Sequence, residues 1–309
     1  MQNTDAKTKR SKKSVVKAVL CIAAAVCILL ISFGGRFGIP GWNDIFTACG
    51  VYADMSDGFT AGFVNVGTAD ACCIKYADKQ ILIDSGTQRL SQKLTSFLER
   101  YDFKRFDAII ISHLDNDHYG GAADIIKQYG VDKIYLPKTS VDLKPDSEEY
   151  SRFISCAQKN GVELIYTGAG DGFELSGVSV DFISPAKEYT SRNDNSLVVR
   201  LTYGNNKFLF TGDISSKVEK DLLSSNADLK ADVLKVAHHG SKTSSCEEFL
   251  EAVSPEISVV SVGASDLSNP DYDTMARINS YSSSVYTTAD DYSIVVNSDG
   301  ENLTVYTDA

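Results

Sequence analysis

The chain has 309 residues, 43% of them apolar and 10% aromatic, enough for a real core and too apolar for a disordered polymer. Its 6 prolines and 22 glycines follow no period, which excludes collagen-like and low-complexity readings. The net charge of -11 hides an asymmetry: before residue 41, Lys7, Lys9, Arg10, Lys12, Lys13, Lys17 and Arg36 face only Asp5, and the remainder carries 23 basic against 40 acidic residues. So acidic a domain repels polyphosphate unless metal ions or a local patch reverse the field, so contact-rich nucleic-acid binding is not the first expectation.

Residues 1–13 read as a basic cytoplasmic tail and 14–33 as a transmembrane anchor or signal segment. From Ala18 to Phe33 the chain runs AVLCIAAAVCILLISF without a charge. As a helix this run reaches ~24 Å against a ~30 Å hydrocarbon core, between a signal-peptide core and an anchor. No small-x-small cleavage site follows at once, which favours a single-pass anchor with an extracellular C-terminal domain; a secreted protein is the alternative if the segment is cut. Residues 34–58, polar and with Pro40, read as a linker, and 59–309 as the folded domain. Of the seven cysteines, Cys21 and Cys27 lie in the apolar run, and no C-x-x-C spacing exists. The other five are expected to be small buried hydrophobes.

From residue 59 onward, period-2 runs alternate with helical stretches. Strands are expected at FVNV (63–66), ACCIKY (71–76) and ILID (81–84), then a helix over 88–101, a strand at DAIIIS (107–112), a helix from Gly121 to Tyr129 and a strand at DKIYL (132–136). Strands follow at VELIY, VSVDFIS, SLVVRLTY and KFLFTG, with a hairpin turn at Tyr203-Gly204-Asn205-Asn206. A helix near 215–225, the strand DVLKVA, a helix near 245–253, the strand ISVVSV and a helix near 271–280 come next. The strands VYTT, YSIVV and LTVYT close the chain. Two sheet-rich halves with interspersed helices predict sheets packed face to face with helices outside, an α/β or α+β domain.

All four histidines fall in two clusters. Ser112-His113-Leu114-Asp115-Asn116-Asp117-His118 opens directly after an apolar strand, where α/β folds place their chemistry. His113, Asp115, Asp117 and His118 put four metal-capable side chains into two turns of chain with no basic residue among them, a mixed N/O set suited to zinc, manganese or iron. The second cluster, Ala237-His238-His239-Gly240-Ser241, also follows a strand. Two more strands end in Asp84 and Asp213. If these ends converge, the ligand count exceeds one tetrahedral site and predicts two divalent ions bridged by a carboxylate.

Together Asn65 to Ala71, Ile83-Asp84-Ser85-Gly86, the His113 to Gly121 loop, Asn195-Ser196-Leu197-Val198, Phe210 to Asp213, Leu234 to Ser241 and Asn269-Pro270 resemble the metallo-β-lactamase superfamily, in its branch like the hydrolase domain of competence protein ComEC. The resemblance implies a four-layer αββα sandwich with two divalent metal ions, zinc or manganese, at one edge. It assigns His113 and Asp115 to one ion, Asp117 and His118 to the second, and Asp213 as the bridge. His238 is preferred as the ligand that completes the second site, with His239 facing substrate. Asp70 and Asp84 read as residues that orient ligands or fix loops. The superfamily's usual histidines at the place of Asp115 and in mid-chain are missing, which argues against antibiotic hydrolysis. Asn195 stands near the second of these gaps.

The expected activity is hydrolysis of phosphate esters or phosphodiesters by a metal-activated water, with Asp117 and His239 as catalytic groups and Asn195, Ser241 and Lys242 as substrate contacts. Alternatives are a DNA-processing nuclease linked to uptake, a lactonase-type hydrolase, and an anchored interaction domain with structural metal. The partner is a small or polymeric phosphoester; nucleic acid is disfavoured by charge.

Overall fold

The computed structural model describes residues 17, 19–32, 41–49, 58–139 and 143–308, and the chain divides into two compact units, Met1–Ala53 and Asp54–Ala309. In the first unit, helix α1 covers 19–32 and α2 covers Trp42–Ala48. The apolar side chains of α1 are exposed: Val19, Leu20, Ile22, Ile28, Leu29 and Leu30 all show more than half their surface. Among the described residues no helix is long and apolar enough to cross a membrane, so the expected span over 14–33 is not shown. Of that stretch, 14–16, 18 and 33 lie outside the described residues, as does the basic tail 1–13. Within the stretch read as a linker, α2 carries Trp42 and Phe46 four residues apart on one helix face, their rings stacked at 5.9 Å; 34–40 and 50–57 lie outside the described residues.

In the second unit the strands are β1 (Phe59–Phe63), β2 (Cys72–Tyr76), β3 (Lys79–Ile83), β4 (Phe106–Ile110), β5 (Val131–Pro137), β6 (Glu163–Thr167), β7 (Gly172–Leu175), β8 (Val178–Ser184), β9 (Val198–Tyr203), β10 (Asn206–Phe210), β11 (Val233–Lys235), β12 (Ile257–Val260), β13 (Ser284–Thr287), β14 (Ile294–Ser298) and β15 (Leu303–Thr307). Among the described residues they form two sheets, β15-β14-β1-β2-β3-β4-β5-β6 and β13-β12-β11-β10-β9-β8-β7. Pairing is parallel from β3 to β6 and from β10 to β13.

The sheets meet face to face. Phe59, Phe63, Ile74, Ile81 and Ile110 of the first pack against Val180, Phe182, Leu201, Phe208 and Phe210 of the second, with Phe59 and Phe208 ring centroids 4.7 Å apart. Each such side chain, fully buried, contributes roughly 1.5–3 kcal/mol. Outside the second sheet, helices α7 (Ser216–Ser224), α8 (Glu247–Val253) and α9 (Tyr272–Tyr281) bury Val218, Leu222, Phe249, Leu250 and Ile278 against Val198, Leu209 and Leu234. Helices α3 (Ser91–Arg100), α5 (Ala122–Tyr129) and α6 (Glu148–Lys159) cover the first sheet. There, Gly62 of β1 lets Phe97 approach, since a Cβ would lie 2.5 Å from its ring. The result is the expected αββα order of layers.

The differences from expectation are local. The first strand is Phe59–Phe63 rather than 63–66, because Phe59 registers opposite Tyr76 on one side and Ser298 on the other. Val64 and Val66 are buried in the loop beyond it. Helix α6 and strand β7 were not anticipated. The helix signal is present, with Ser147 Oγ accepting from the Tyr150 N–H at 3.1 Å and Tyr150, Phe153 and Ala157 buried at helical spacing. Cys72 lies between the sheets and Cys73 is fully buried, as successive strand positions require. Cys156 is buried too, but Cys246 is half-buried and Cys49 exposed, against the reading of all five as core.

Candidate metal centre

The parallel strands of both sheets end on one edge, and the loops that leave them are tied together there. Across the sheets, the Leu197 N–H donates to Ser112 O at 2.8 Å. Next to it Gly212 has a φ of +52° and leaves no room for a side chain, since a Cβ would sit 2.8 Å from Ser196 Cβ. Asp84, His238 and His239, all at strand ends, also hold positive φ, a strain that accumulates where a site fixes its side chains. The loop after β4 folds into the one-turn helix α4 (Asn116–Tyr119). It is knitted to the loop after β3 by Ser85, whose N–H and Oγ both donate to His118 O, at 2.6 and 2.9 Å.

These loops gather Asp117, His118, Asp213 and His239, four donors whose ligating atoms all lie within 4.8 Å of one another. His118 Nε2 is 3.6 Å from Asp117 Oδ2 and 3.5 Å from Asp213 Oδ2, and His239 Nε2 is 3.4 and 3.6 Å from the same two oxygens. Metal–donor bonds of ~2.1 Å in a tetrahedron give donor separations of about 3.4 Å, so the four fit one divalent ion. The tautomers agree. His118 Nδ1 donates to Asp84 Oδ2 at 2.9 Å and His239 Nδ1 to the Ser261 carbonyl at 2.8 Å. That leaves each Nε2 turned to the cluster, where a cation would displace its proton, as in metal-bound histidines held by a carboxylate or carbonyl. His118 Nε2 and Asp213 Oδ1 are buried without a hydrogen-bond partner, atoms that a cation would satisfy.

The electrostatics point the same way. Burial opposes charge on His118, yet Asp213, Asp84 and Asp117 outweigh it and hold its pKa well above the usual histidine value. His239 is raised likewise, with Asp213, Asp117 and Asp70 overcoming burial. Asp117 and Asp213 are driven down, against burial, chiefly by His118. Crowded carboxylates with raised imidazoles are a site that demands positive charge.

The order of the two adjacent histidines is the reverse of expectation. His239 joins the group, whereas His238 stands at its rim, 3.9 Å from Asp213 Oδ2 and 3.5 Å from Asn193 Nδ2. The left-handed backbone at both residues decides which ring turns inward, and no sequence rule reads it. Asp84, besides His118 Nδ1, accepts from the Ser112 N–H and Oγ, both at 2.7 Å. Asp70 pairs with Lys235, a buried lysine that the sequence analysis did not single out, although a lysine in the strand VLKV was its visible signal.

The first pair, His113 and Asp115, departs from expectation. Their facing atoms are 3.6 Å apart, but Asp115 Oδ1 is held by Arg192 Nε at 2.9 Å, so the loop does not lack a basic partner. Burial raises the Asp115 carboxyl, and His113 and Arg192 outweigh it. Neither His113, Asp115 nor His238 joins any group of three or more ligand atoms among the described residues. Asn195 is buried and fully engaged by its own loop: its Oδ1 accepts from the Tyr189 N–H at 3.0 Å and its Nδ2 donates to Tyr189 O and Ser191 O at 2.8 and 2.6 Å. It is therefore a loop brace and offers nothing to substrate, contrary to expectation. Ser241 Oγ lies 3.1 Å from Thr243 Oγ1, and Lys242 is exposed; neither reaches the four-donor group.

The metallo-beta-lactamase superfamily profile matches residues 66–264. The chain is 29% identical over 232 residues to ComE operon protein 3 of Bacillus subtilis, covering 69% of this chain and 29% of that protein. It is 31% identical over 233 residues to recombination protein 2 of Haemophilus influenzae, covering 73% and 27%. The chain thus spans less than a third of the length of these relatives. Among solved structures, a CmlA beta-hydroxylase variant shares the fold over 87% of this chain and 59% of its own, with a TM-score of 0.53 at 10% identity. With the sandwich, the edge and the histidine-carboxylate cluster all in place, the chain belongs to the metallo-beta-lactamase superfamily, in the branch of the ComEC-like competence proteins.

Proposed function

We propose that this metallohydrolase cleaves phosphate esters, with phosphodiesters preferred. The observation that carries the reading is the chemistry of the cleft beside the metal centre. A cavity of about 500 Å³ is lined by Asp115, Lys144, Asp146, Ser191, Arg192 and Asn193: two cations, one of them held on Asp115, stand with hydroxyl and amide donors among two carboxylates. Lys144 and Arg192 suit anionic oxygens.

Asp117, His118, Asp213 and His239 would hold a divalent ion, zinc or manganese, which when bound supplies Lewis-acid polarisation and a water acid enough to attack at neutral pH. The chain's own residues do the rest. Asp84 and the Ser261 carbonyl fix the two imidazoles, and Asp117, the more exposed of the two carboxylates, orients the attacking water. His238, at the rim beside Asn193, faces substrate and can accept or return a proton at Nε2. Lys144 and Arg192 receive the phosphoryl oxygens.

The test uses the full chain in detergent with Mn²⁺, Zn²⁺ or Mg²⁺ and a bis-aryl phosphodiester, next to single-stranded DNA, a lactone and a β-lactam. Phosphodiester cleavage abolished by both Asp117→Ala and Asp213→Ala supports the reading; full activity in both variants overturns it. Preferred cleavage of DNA would recast the enzyme as a nuclease, a reading to which its resemblance to competence and recombination proteins lends weight.

The exposed apolar side chains of α1 support membrane attachment through 14–33, with the hydrolase domain outside. Retention of the full chain in an alkali-washed membrane fraction is the expected result.

A further inference from the structure

The loop between β8 and β9 stands where the superfamily resemblance expects a further histidine, and it supplies a guanidinium instead. Arg192 Nε lies 2.9 Å from Asp115 Oδ1, and its Nη1 lies 3.4 Å from Leu114 O. The loop is fixed beneath it: Asn195 braces it from inside, and Asp194 Oδ1 accepts from the Ser215 N–H and Oγ at 3.2 and 2.6 Å. A guanidinium so placed takes one oxygen of the carboxylate that a second ion needs and leaves only Oδ2, 3.6 Å from His113 Nε2, open to it. The remaining donors on that side are the unpartnered His113 Nε2 and Asp213 Oδ1, Asp115 Oδ2 and His238 Nε2, which has Asn193 Nδ2 at 3.5 Å; among the described residues neither His113, Asp115 nor His238 joins a group of three close ligand atoms. Arg192 still has donors to spare, for its side chain is 41% exposed and lines the cleft.

We propose that the enzyme loads a single divalent ion, on Asp117, His118, Asp213 and His239, and that Arg192, held on Asp115, replaces a second ion as the positive group that receives the substrate's anionic oxygens. The second half rests on the phosphoester reading; the first does not. Charge that would otherwise come from a second cation is carried by the chain itself, in a planar fork that can grip two oxygens at once.

The experiment measures ion content and anion binding on the full chain, independently of turnover. Manganese titrated into metal-free protein, with free Mn²⁺ read by electron paramagnetic resonance, is expected to saturate at one ion per chain. Inorganic phosphate then binds the manganese-loaded protein, and Arg192→Ala weakens that binding roughly 10- to 100-fold, with Arg192→Lys recovering part of it and manganese affinity retained in both. Two ions per wild-type chain overturn the proposal, as does phosphate binding that is unchanged in Arg192→Ala. If phosphoesters are not cleaved yet one ion loads and phosphate binding depends on Arg192, the proposal stands and the substrate assignment falls.

Discussion

His239 Nδ1 lies 2.8 Å from the carbonyl oxygen of Ser261. A carbonyl only accepts, so Nδ1 carries a hydrogen and Nε2 is the nitrogen that faces Asp117 and Asp213, the one a cation would bind. His238 has no such anchor on the described residues. His239→Ala should therefore lower manganese or zinc affinity by more than the 10- to 100-fold that loss of an orienting partner costs, whereas His238→Ala should change it only a few-fold and act on turnover. Competition with a fluorescent chelator separates the two; equal losses would contradict the placement of the rings.

Asp84 touches no ion in this arrangement, yet it fixes His118. In Asp84→Asn one accepting oxygen replaces the two that take bonds from His118 Nδ1, the Ser112 N–H and Ser112 Oγ, an amide NH2 must then face a donor, and metal affinity should fall about 10- to 100-fold as His118 is misoriented. The apo protein's melting temperature and ion affinity, measured together, distinguish misoriented ligand from misfolded domain.

Removing the ion should loosen the fold. The like charges of Asp117 and Asp213 are offset chiefly by His118 and His239, and a bound cation favours only the folded arrangement. Free Mn²⁺ at 100 times its dissociation constant should add about 2.7 kcal/mol of stability, seen as a higher melting temperature that a chelator reverses. A melting curve indifferent to metal would refute the cluster as an ion site.

Lys235 and Asp70 form a buried ion pair at 5% and 6% side-chain exposure. Lys235→Met leaves Asp70 without its cation and should cost about 3–5 kcal/mol, part of which the double variant Lys235→Met with Asp70→Asn recovers. Burial pulls the lysine pKa down, but Asp70, Asp213 and Asp84 raise it above the usual value. Its contribution is therefore complete below pH ~10.4, the unfolded value, and is lost as pH rises through the higher folded value. Urea unfolding of wild type between pH 8 and 11 should show that loss, and Lys235→Met should not.

Asn195→Ala removes three hydrogen bonds that brace the loop of Arg192 and Asn193. Buried backbone groups left unpaired cost about 1–3 kcal/mol each, so the variant should lose stability and, through a displaced Arg192, phosphate binding. An Asn195→Ala protein as stable as wild type would mean the brace is dispensable.

Much of this was legible in the chain itself. Apolar alternation located nearly every strand, because a two-sheet sandwich buries one face of each strand and the period survives in one dimension. The run from His113 to His118 pointed to a cation site because its two carboxylates and two imidazoles are metal-capable groups crowded into two turns of chain, and of them Asp117 and His118 join the four-donor group. Three things depended on the tertiary structure. Whether His238 or His239 turns inward is set by a left-handed backbone at both residues and by the Ser261 carbonyl 22 positions away. Asn195 became a brace rather than a substrate contact because Tyr189 and Ser191 close around it. Arg192 reaches Asp115 across 77 positions of chain, and Lys235 reaches Asp70 across 165. Charge pairing over such distances leaves no periodic trace in a sequence; it exists only once two sheets have brought their strand ends to a common edge.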